Sequence, residues 1–85
     1  MNTTPTTDTT IRTRSTHAFA LVRVNRAPST IVDGRIVPGA IVGASLVGYA
    51  ATDSPRVRAR AERMSRTGSI VHVRPIIDGR VAAAV

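Results

Sequence analysis

The sequence predicts a small α+β domain built on a mostly antiparallel sheet, and three observations lead to this prediction. β-Branched residues dominate the apolar content, with eleven Val and seven Ile against two Leu, and such residues favour strands. Two Asp-Gly pairs lie between β-branched residues, which is typical of tight hairpins. Residues 55–66 give the clearest helical spacing of apolar side chains. We expect about five strands and a short Arg-rich helix on one face, in the order βββαββ.

The first sixteen residues are predicted to be a flexible tail or arm, followed by a single domain over residues 17–85. Eight of the sixteen are Thr, Pro5 interrupts any strand ladder, and apolar periodicity starts only after His17. Polar segments of this kind are ordinarily disordered on their own. They lack the apolar core of a secretory signal, so we expect a cytoplasmic protein, or a particle assembled in the cytoplasm.

Three longer strands are predicted within the domain. Residues 18–24 alternate as a strand does, and their apolar character on both faces favours a central place in the sheet. Residues 40–51 could also be spaced as a helix, but glycines weaken a helix by about 1 kcal/mol each. We therefore expect a buried strand there, with bends or a bulge at the glycines. Residues 70–74 form the third strand.

Two hairpins are predicted around the Asp-Gly pairs. Residues 30–32 and 35–37 are the strands of the first, and residues 76–77 and 80–81 belong to the second. The residues expected in the type I′ turns are Asp33, Gly34, Asp78 and Gly79. The two hairpin sequences match at an offset of 45 positions. Either a strand-plus-hairpin unit was duplicated, or common hairpin chemistry arose twice.

The helix has start and stop signals at both ends. Asp53 or Ser54 is expected to cap its N-terminus, with Pro55 in the first turn. We expect it to run to about Arg66 and to end at Gly68, in the left-handed conformation of a C-terminal cap. The side chains predicted to face the sheet are Val57, Ala61 and Met64.

The composition excludes several classes of protein. The absence of Cys excludes a disulfide scaffold and a zinc finger with thiolate ligands. The sequence has no paired carboxylates, Gly-rich phosphate loop or metal-ligand spacing, so we expect no enzyme, no metal and no cofactor. With one Phe, one Tyr and no Trp, the core is thin. We therefore expect a partner to add stability, with a homo-oligomer as one form.

The most specific feature is an uneven charge distribution around the helix. At about 100° per residue, three arginines fall within about 60° of one another, and no acid shares their flank. These three, Arg56, Arg60 and Arg63, form what we call the arginine stripe. On the opposite side, Glu62 is expected to pair with Arg58 and Arg66. All five arginines are candidate anion-binding residues, and a merely solvated helix face is the alternative.

Two functions fit these features. The net charge of +7 favours an accessory protein that binds nucleic acid through phosphates. The alternative is a structural subunit of a particle or coat, in which the N-terminal arm and the sheet edges contact neighbouring subunits and the arginines meet an acidic protein surface. The uncharged run over residues 36–52 is short for a membrane span and contains Pro38 and glycines. We therefore favour buried strands over a span.

Overall fold

The structure, a computed structural model, describes residues 10–83 and contains a five-stranded sheet, a two-stranded hairpin and a helix. In chain order the elements are β1 (Thr10–Arg12), β2 (Phe19–Arg26), β3 (Thr30–Val32), β4 (Arg35–Val37), β5 (Ile41–Ala50), α1 (Pro55–Met64), β6 (Ser69–Ile77) and β7 (Arg80–Ala82). The predicted α+β class is confirmed. The predicted order also fits roughly, with β1 as an additional strand.

The five-stranded sheet has the order β1-β7-β6-β2-β5, and each pair of neighbouring strands is antiparallel. β2 lies between β5 and β6, so the prediction of a central first strand is confirmed. Successive residues of β2 point to opposite faces. Leu21 therefore belongs to the core beneath α1, whereas Ala20, Val22 and Val24 belong to a second core on the other face.

The glycine-rich segment forms a strand, β5, as predicted, and two bulges interrupt its pairing with β2. The expectation that this strand is buried is wrong, because β5 lies at the edge of the sheet and only its last residue, Ala50, is buried. Val47, which precedes Gly48, and Val42, which precedes Gly43, have no residue opposite them in the register. The uncharged run over residues 36–52 thus supplies the end of β4 and the whole of β5. Within residues 10–83, no helix has the length and apolar character needed to cross a membrane.

Both Asp-Gly turns have the predicted geometry. The φ angles are 51° and 74° at Asp33 and Gly34, and 52° and 72° at Asp78 and Gly79. Two successive positive φ angles define the type I′ turn, whose twist matches that of the strands it joins. The two turns are therefore conformationally equivalent.

The N-terminal segment requires a correction, because residues 10–16 do not form a separate tail. Thr10–Arg12 is β1 and pairs with β7, and Ile11 packs against the second core. The amide of Thr13 then donates to the carbonyl of Gly79 at 2.8 Å. One apolar residue between polar neighbours is enough for an edge strand when a partner edge is present. The rest of the predicted tail, residues 1–9, lies outside the described residues.

The helix begins as predicted but ends earlier. Ser54 caps it by accepting a hydrogen bond from the amide of Val57 at 3.3 Å. It ends at Met64, and Gly68 is not its cap. The reason lies in Ser65, which is extended (φ −79°, ψ 148°) and whose Oγ accepts a 2.8 Å hydrogen bond from the β6 backbone. Gly68, with φ 76°, instead belongs to the turn that leads into β6.

Two thin layers of apolar side chains hold the fold together. Beneath α1, the inward side chains Val57, Ala61 and Met64 pack on β2, β5 and β6, as predicted. On the opposite face, β7 and β1 bring Val81 and Ile11 against β2. The largest fully buried side chains are Leu and Val. Each such side chain contributes only about 1.5–3 kcal/mol when buried. The core of the described residues therefore provides little stabilisation.

Candidate anion-binding surface

The arginine stripe runs along one exposed flank of α1. Arg56, Arg60 and Arg63 are all exposed, and none has a carboxylate within 4 Å among residues 10–83. Helical geometry places them on the same side, about 100–160° around the helix from the buried Ala61. The stripe is therefore a row of guanidinium groups that are free to bind an external anion.

Arg58 differs from the stripe because it is paired. Its Nε and Nη2 donate to the two carboxylate oxygens of Asp53 at 2.7 and 2.9 Å. The hydrogen bond from Arg58 lowers the pKa of Asp53 and, reciprocally, raises the pKa of Arg58. The predicted pairing of Glu62 with Arg58 and Arg66 is wrong, since Arg58 turns to Asp53 beside the helix N-terminus and residues 10–83 hold no other ion pair.

Arg66 lies outside the helix. Its amide and carbonyl exchange two 2.8 Å hydrogen bonds with Ser69, which closes the turn before β6. Because α1 ends at Met64, the helical angle that placed Arg66 beside Glu62 no longer applies. The structure thus separates the five candidate arginines into the three of the stripe, one paired arginine and one in a turn.

The position of α1 depends on Arg23, which the sequence analysis did not select. Arg23 lies on the helix-facing side of β2 and donates to the carbonyl of Met64 at 3.0 Å and to Ser69 Oγ at 2.8 Å. A cation at the last carbonyls of a helix is electrostatically favourable. In the sequence, the signal for this role was a charged residue in the middle of the otherwise apolar β2. Arg23 fixes the end of α1, and with it the stripe.

A second group of arginines lies at the edge of the sheet formed by β1 and β7. The register places Arg12 of β1 directly opposite Arg80 of β7. Together with Arg14 they line an open basin of about 540 Å³, which Asp78 also borders. Like charges opposite each other on neighbouring strands are unfavourable. This cluster was not predicted, because residues 1–16, which contain Arg12 and Arg14, were expected to form a tail that does not pair with β7.

A groove lies on the face of the sheet opposite α1, between β6 and the base of the β3–β4 hairpin. Its volume is about 550 Å³, and its lining is mostly apolar, with Val24, Pro28, Pro38 and Ile70. His72 also lines it. Partial burial lowers the pKa of His72, and the nearby charges of Arg74 and Arg26 lower it further.

The remaining observations concern other kinds of site and other proteins. Among residues 10–83, no three His, Cys, Asp or Glu side chains are grouped as a metal site would require. No family model, curated protein or solved structure matches this chain. The chemistry and exposure of these surfaces are therefore the features that indicate a function.

Proposed function

We propose that this chain is a small non-enzymatic protein that binds nucleic acid through phosphate contacts from the arginine stripe. The observation that supports this most directly is the contrast within α1. Arg58 is neutralised by Asp53, whereas Arg56, Arg60 and Arg63 have no carboxylate partner in the described chain. Guanidinium groups bind phosphate oxygens bidentately, so unpaired arginines on one flank suit a polyanion.

The dimensions of the stripe agree with this proposal. From Arg56 to Arg63 the helix rises about 10 Å, at about 1.5 Å per residue. Successive phosphates of one DNA strand advance about 3.4 Å along the duplex axis. Neighbouring arginines are therefore about 6 and 4.5 Å apart along the helix axis, more than one nucleotide step, so each arginine can face a different phosphate.

The proposed contacts are to phosphates and not to bases. Reading single-stranded bases by stacking requires exposed aromatic side chains. Phe19 packs against the core beneath α1, and Tyr49 packs on the other face. The hydroxyl of Tyr49 also hydrogen bonds with Thr13 Oγ1 at 2.7 Å. We therefore expect weak sequence preference and binding that decreases steeply with salt.

The test compares two variants that each lose three positive charges. One is R56Q/R60Q/R63Q, and its control is R12Q/R14Q/R80Q, which removes the arginines of the other cluster. Affinity for a short random-sequence DNA duplex is measured by fluorescence anisotropy over a salt series. We expect the stripe variant to lower the slope of log K against log salt by about 2.7, at about 0.9 per phosphate contact. The control is expected to keep most of the slope.

Two outcomes would contradict the proposal. Equal losses in both variants would mean that total charge, and not the stripe, governs binding. Wild-type binding that does not respond to salt would exclude phosphate contacts as its main source. Circular dichroism of each variant distinguishes lost contacts from lost fold, and all six arginines are exposed, so we expect the fold to persist.

The second candidate function is a structural subunit that assembles with copies of itself or with an acidic protein surface. Residues 1–9 of its proposed N-terminal arm lie outside the described residues. The observation that favours it is the apolar surface of the β3–β4 hairpin, where Ile31 and Ile36 are exposed. Soluble monomers rarely display contiguous large apolar patches without a partner.

A further inference from the structure

The β3–β4 hairpin is the most exposed apolar element of the described chain. All six of its strand residues are exposed. Ile31 and Ile36 lie directly opposite each other and are 75% and 76% exposed, and Val32 and Val37 are exposed as well. Residues directly opposite in an antiparallel pair project on the same side of a hairpin. The two isoleucines therefore form one continuous apolar face.

This hairpin has little support from the rest of the chain. It forms a two-stranded sheet of its own, and within residues 10–83 no other element packs extensively against it. A lone two-stranded hairpin is marginally stable in water. Pro28 and Pro38 lie at its base, and neither can donate a backbone hydrogen bond to extend the ladder from β2 and β5. The hairpin thus has the character of an arm that is completed by docking.

The same chain carries a surface that complements the arm. The groove beside the hairpin base presents Ile70, an exposed apolar residue on the face away from α1, together with Pro28 and Pro38, whereas Val24, which also lines it, is buried. Arg26 and His72 also line the groove. The arm carries one acid, Asp33, at its turn, and one base, Arg35, which alternates with Ile36 and therefore projects on the face away from the isoleucines. An apolar face with a carboxylate at its tip therefore meets an apolar groove that carries the cation of Arg26.

We propose that the β3–β4 hairpin is a docking arm that places Ile31 and Ile36 in the groove of a second copy of this chain. Because arm and groove belong to the same polypeptide, two copies can exchange arms about a twofold axis and satisfy both contacts at once. Such a closed, self-complementary contact stops at the dimer. The thin core of each chain makes added apolar burial between copies favourable.

The free edge of β5 is a weaker candidate for the contact between copies. It is long and uncharged, which favours pairing with another strand. However, bulges at Val42 and Val47 interrupt its register, and bulges are a common protection of exposed edges. The arm has no such interruption. Val42, which is 68% exposed on β5, therefore provides a matched control for the arm residues.

The arm-exchanged dimer and the proposed nucleic-acid binding use different surfaces. His72 and Ile70 of the groove alternate along β6 with Val71, which belongs to the core beneath α1. The groove and the arginine stripe are therefore on opposite faces of the sheet. Arm substitutions leave the stripe intact, so failure of one proposal is distinguishable from failure of the other.

The first test is the molar mass of the full chain by sedimentation equilibrium. We expect wild type to reach twice the chain mass of 9.0 kDa. We expect I31S/I36S to remain at the mass of one chain, with unchanged circular dichroism, because both isoleucines are exposed in the single chain. V42S is expected to dimerise as wild type does. A dissociation constant raised by at least about tenfold in the arm variant supports the proposal.

The second test restores the contact between two defective variants. I70D keeps the arm and places a charge in the groove, whereas I31S/I36S keeps the groove and loses the arm. We expect each variant alone to be monomeric and an equimolar mixture to form a heterodimer through the one intact contact. Light scattering on the mixture and on each component measures this. A mixture that stays monomeric while wild type dimerises would overturn the exchange.

Other outcomes of the mass measurement also decide against a second copy in the groove. A wild-type monomer at concentrations on the order of 100 µM would overturn the proposal and leave a different protein as the occupant. Dissociation by V42S but not by I31S/I36S would assign the contact to the β5 edge.

Discussion

The two Asp-Gly hairpins share a sequence pattern and a turn conformation but differ in the burial of one cross-strand apolar pair, Ile31 and Ile36 in the first hairpin and Ile76 and Val81 in the second. Ile36 follows the first turn and is 76% exposed, whereas Val81, at the equivalent position after the second turn, is fully buried. The φ angles of the two turns agree to within a few degrees. Six residues of sequence therefore determine how the chain reverses, but not what the resulting strands pack against.

The difference comes from the residues that flank each hairpin. The second hairpin continues β6, which pairs with β2, and β7 receives β1 on its other edge. The first hairpin lies beyond Pro28 and Pro38, where the ladder between β2 and β5 ends with a bond from the amide of Ala27 to the carbonyl of Ala40. Proline interrupts a ladder because it has no N–H. The flanking sequence thus determines that the first hairpin is exposed as an arm and that the second supplies a strand to the core.

The same charge placed in both hairpins is expected to have the largest and most unequal effects. V81D buries a carboxylate among apolar side chains, and we expect it to cost about 3 kcal/mol or more of unfolding free energy. I36D, at the equivalent exposed position, is expected to change the stability of the single chain by less than about 0.5 kcal/mol. Urea denaturation of dilute protein measures both. Similar losses would mean that the first hairpin is buried in the single chain.

A second prediction concerns the base of the first hairpin. A Cβ on Gly39 would overlap the backbone carbonyl of Ala27 and come within 2.9 Å of the Pro28 carbonyl oxygen. We expect G39A to cost about 1–3 kcal/mol, because backbone must move to admit the methyl group. G43A is the control, since its nearest new contact is a side-chain nitrogen of Asn25 at 3.7 Å. Equal thermal stability of the two variants would contradict the close approach.

The third prediction compares the glycines of the two turns. Both have positive φ, so an alanine at either position is expected to cost about 1–2 kcal/mol. A Cβ on Gly79 would also lie 3.3 Å from the Thr13 carbonyl oxygen, whereas nothing lies within 4 Å at Gly34. We therefore expect G79A to be less stable than G34A in thermal unfolding. The reverse order would show that the segment after β1 does not hold the second turn.

Local chemistry explains which parts of this fold the sequence could predict. The turns, the Ser54 cap and the inward face of α1 depend on a few adjacent residues, and all are confirmed. The helix end was misplaced because Ser65 bonds to β6, a contact between distant parts of the chain. β1 was missed because one Ile among polar residues becomes a strand only beside β7.

The candidate site likewise contains some features that the local sequence predicts and others that depend on distant contacts. Helical periodicity placed Arg56, Arg60 and Arg63 on one flank, and all three are exposed there. The partner of Arg58 was wrong because periodicity along a helix contains no information about Asp53 in the preceding loop. The charge of Arg23 within an apolar strand was visible in the sequence, but its role depends on contacts with the distant Met64 and Ser69. The position of Arg12 opposite Arg80 depends on the strand register.

The smallest predicted effect is a pH dependence at the base of the arm. Burial, together with Arg74 and Arg26, lowers the pKa of His72 in the folded chain below the ordinary value of 6.5. As the pH falls below that value, the unfolded chain takes up a proton before the folded chain does, so stability decreases towards acid pH. Above the ordinary pKa value, His72 is neutral in both the folded and the unfolded chain, so its protonation no longer affects the free energy of unfolding.

We expect H72Q to reduce this decrease. Thermal unfolding at about pH 7.5 and pH 5.5 measures it, in a window where most carboxylates remain ionised. Both proteins should also carry the I31S/I36S substitutions, so that no arm docks in the groove. A docked arm would bring the carboxylate of Asp33 near His72, favour the charged imidazole and reverse the sign of the pH dependence. An equal pH dependence with and without His72 would place its origin elsewhere.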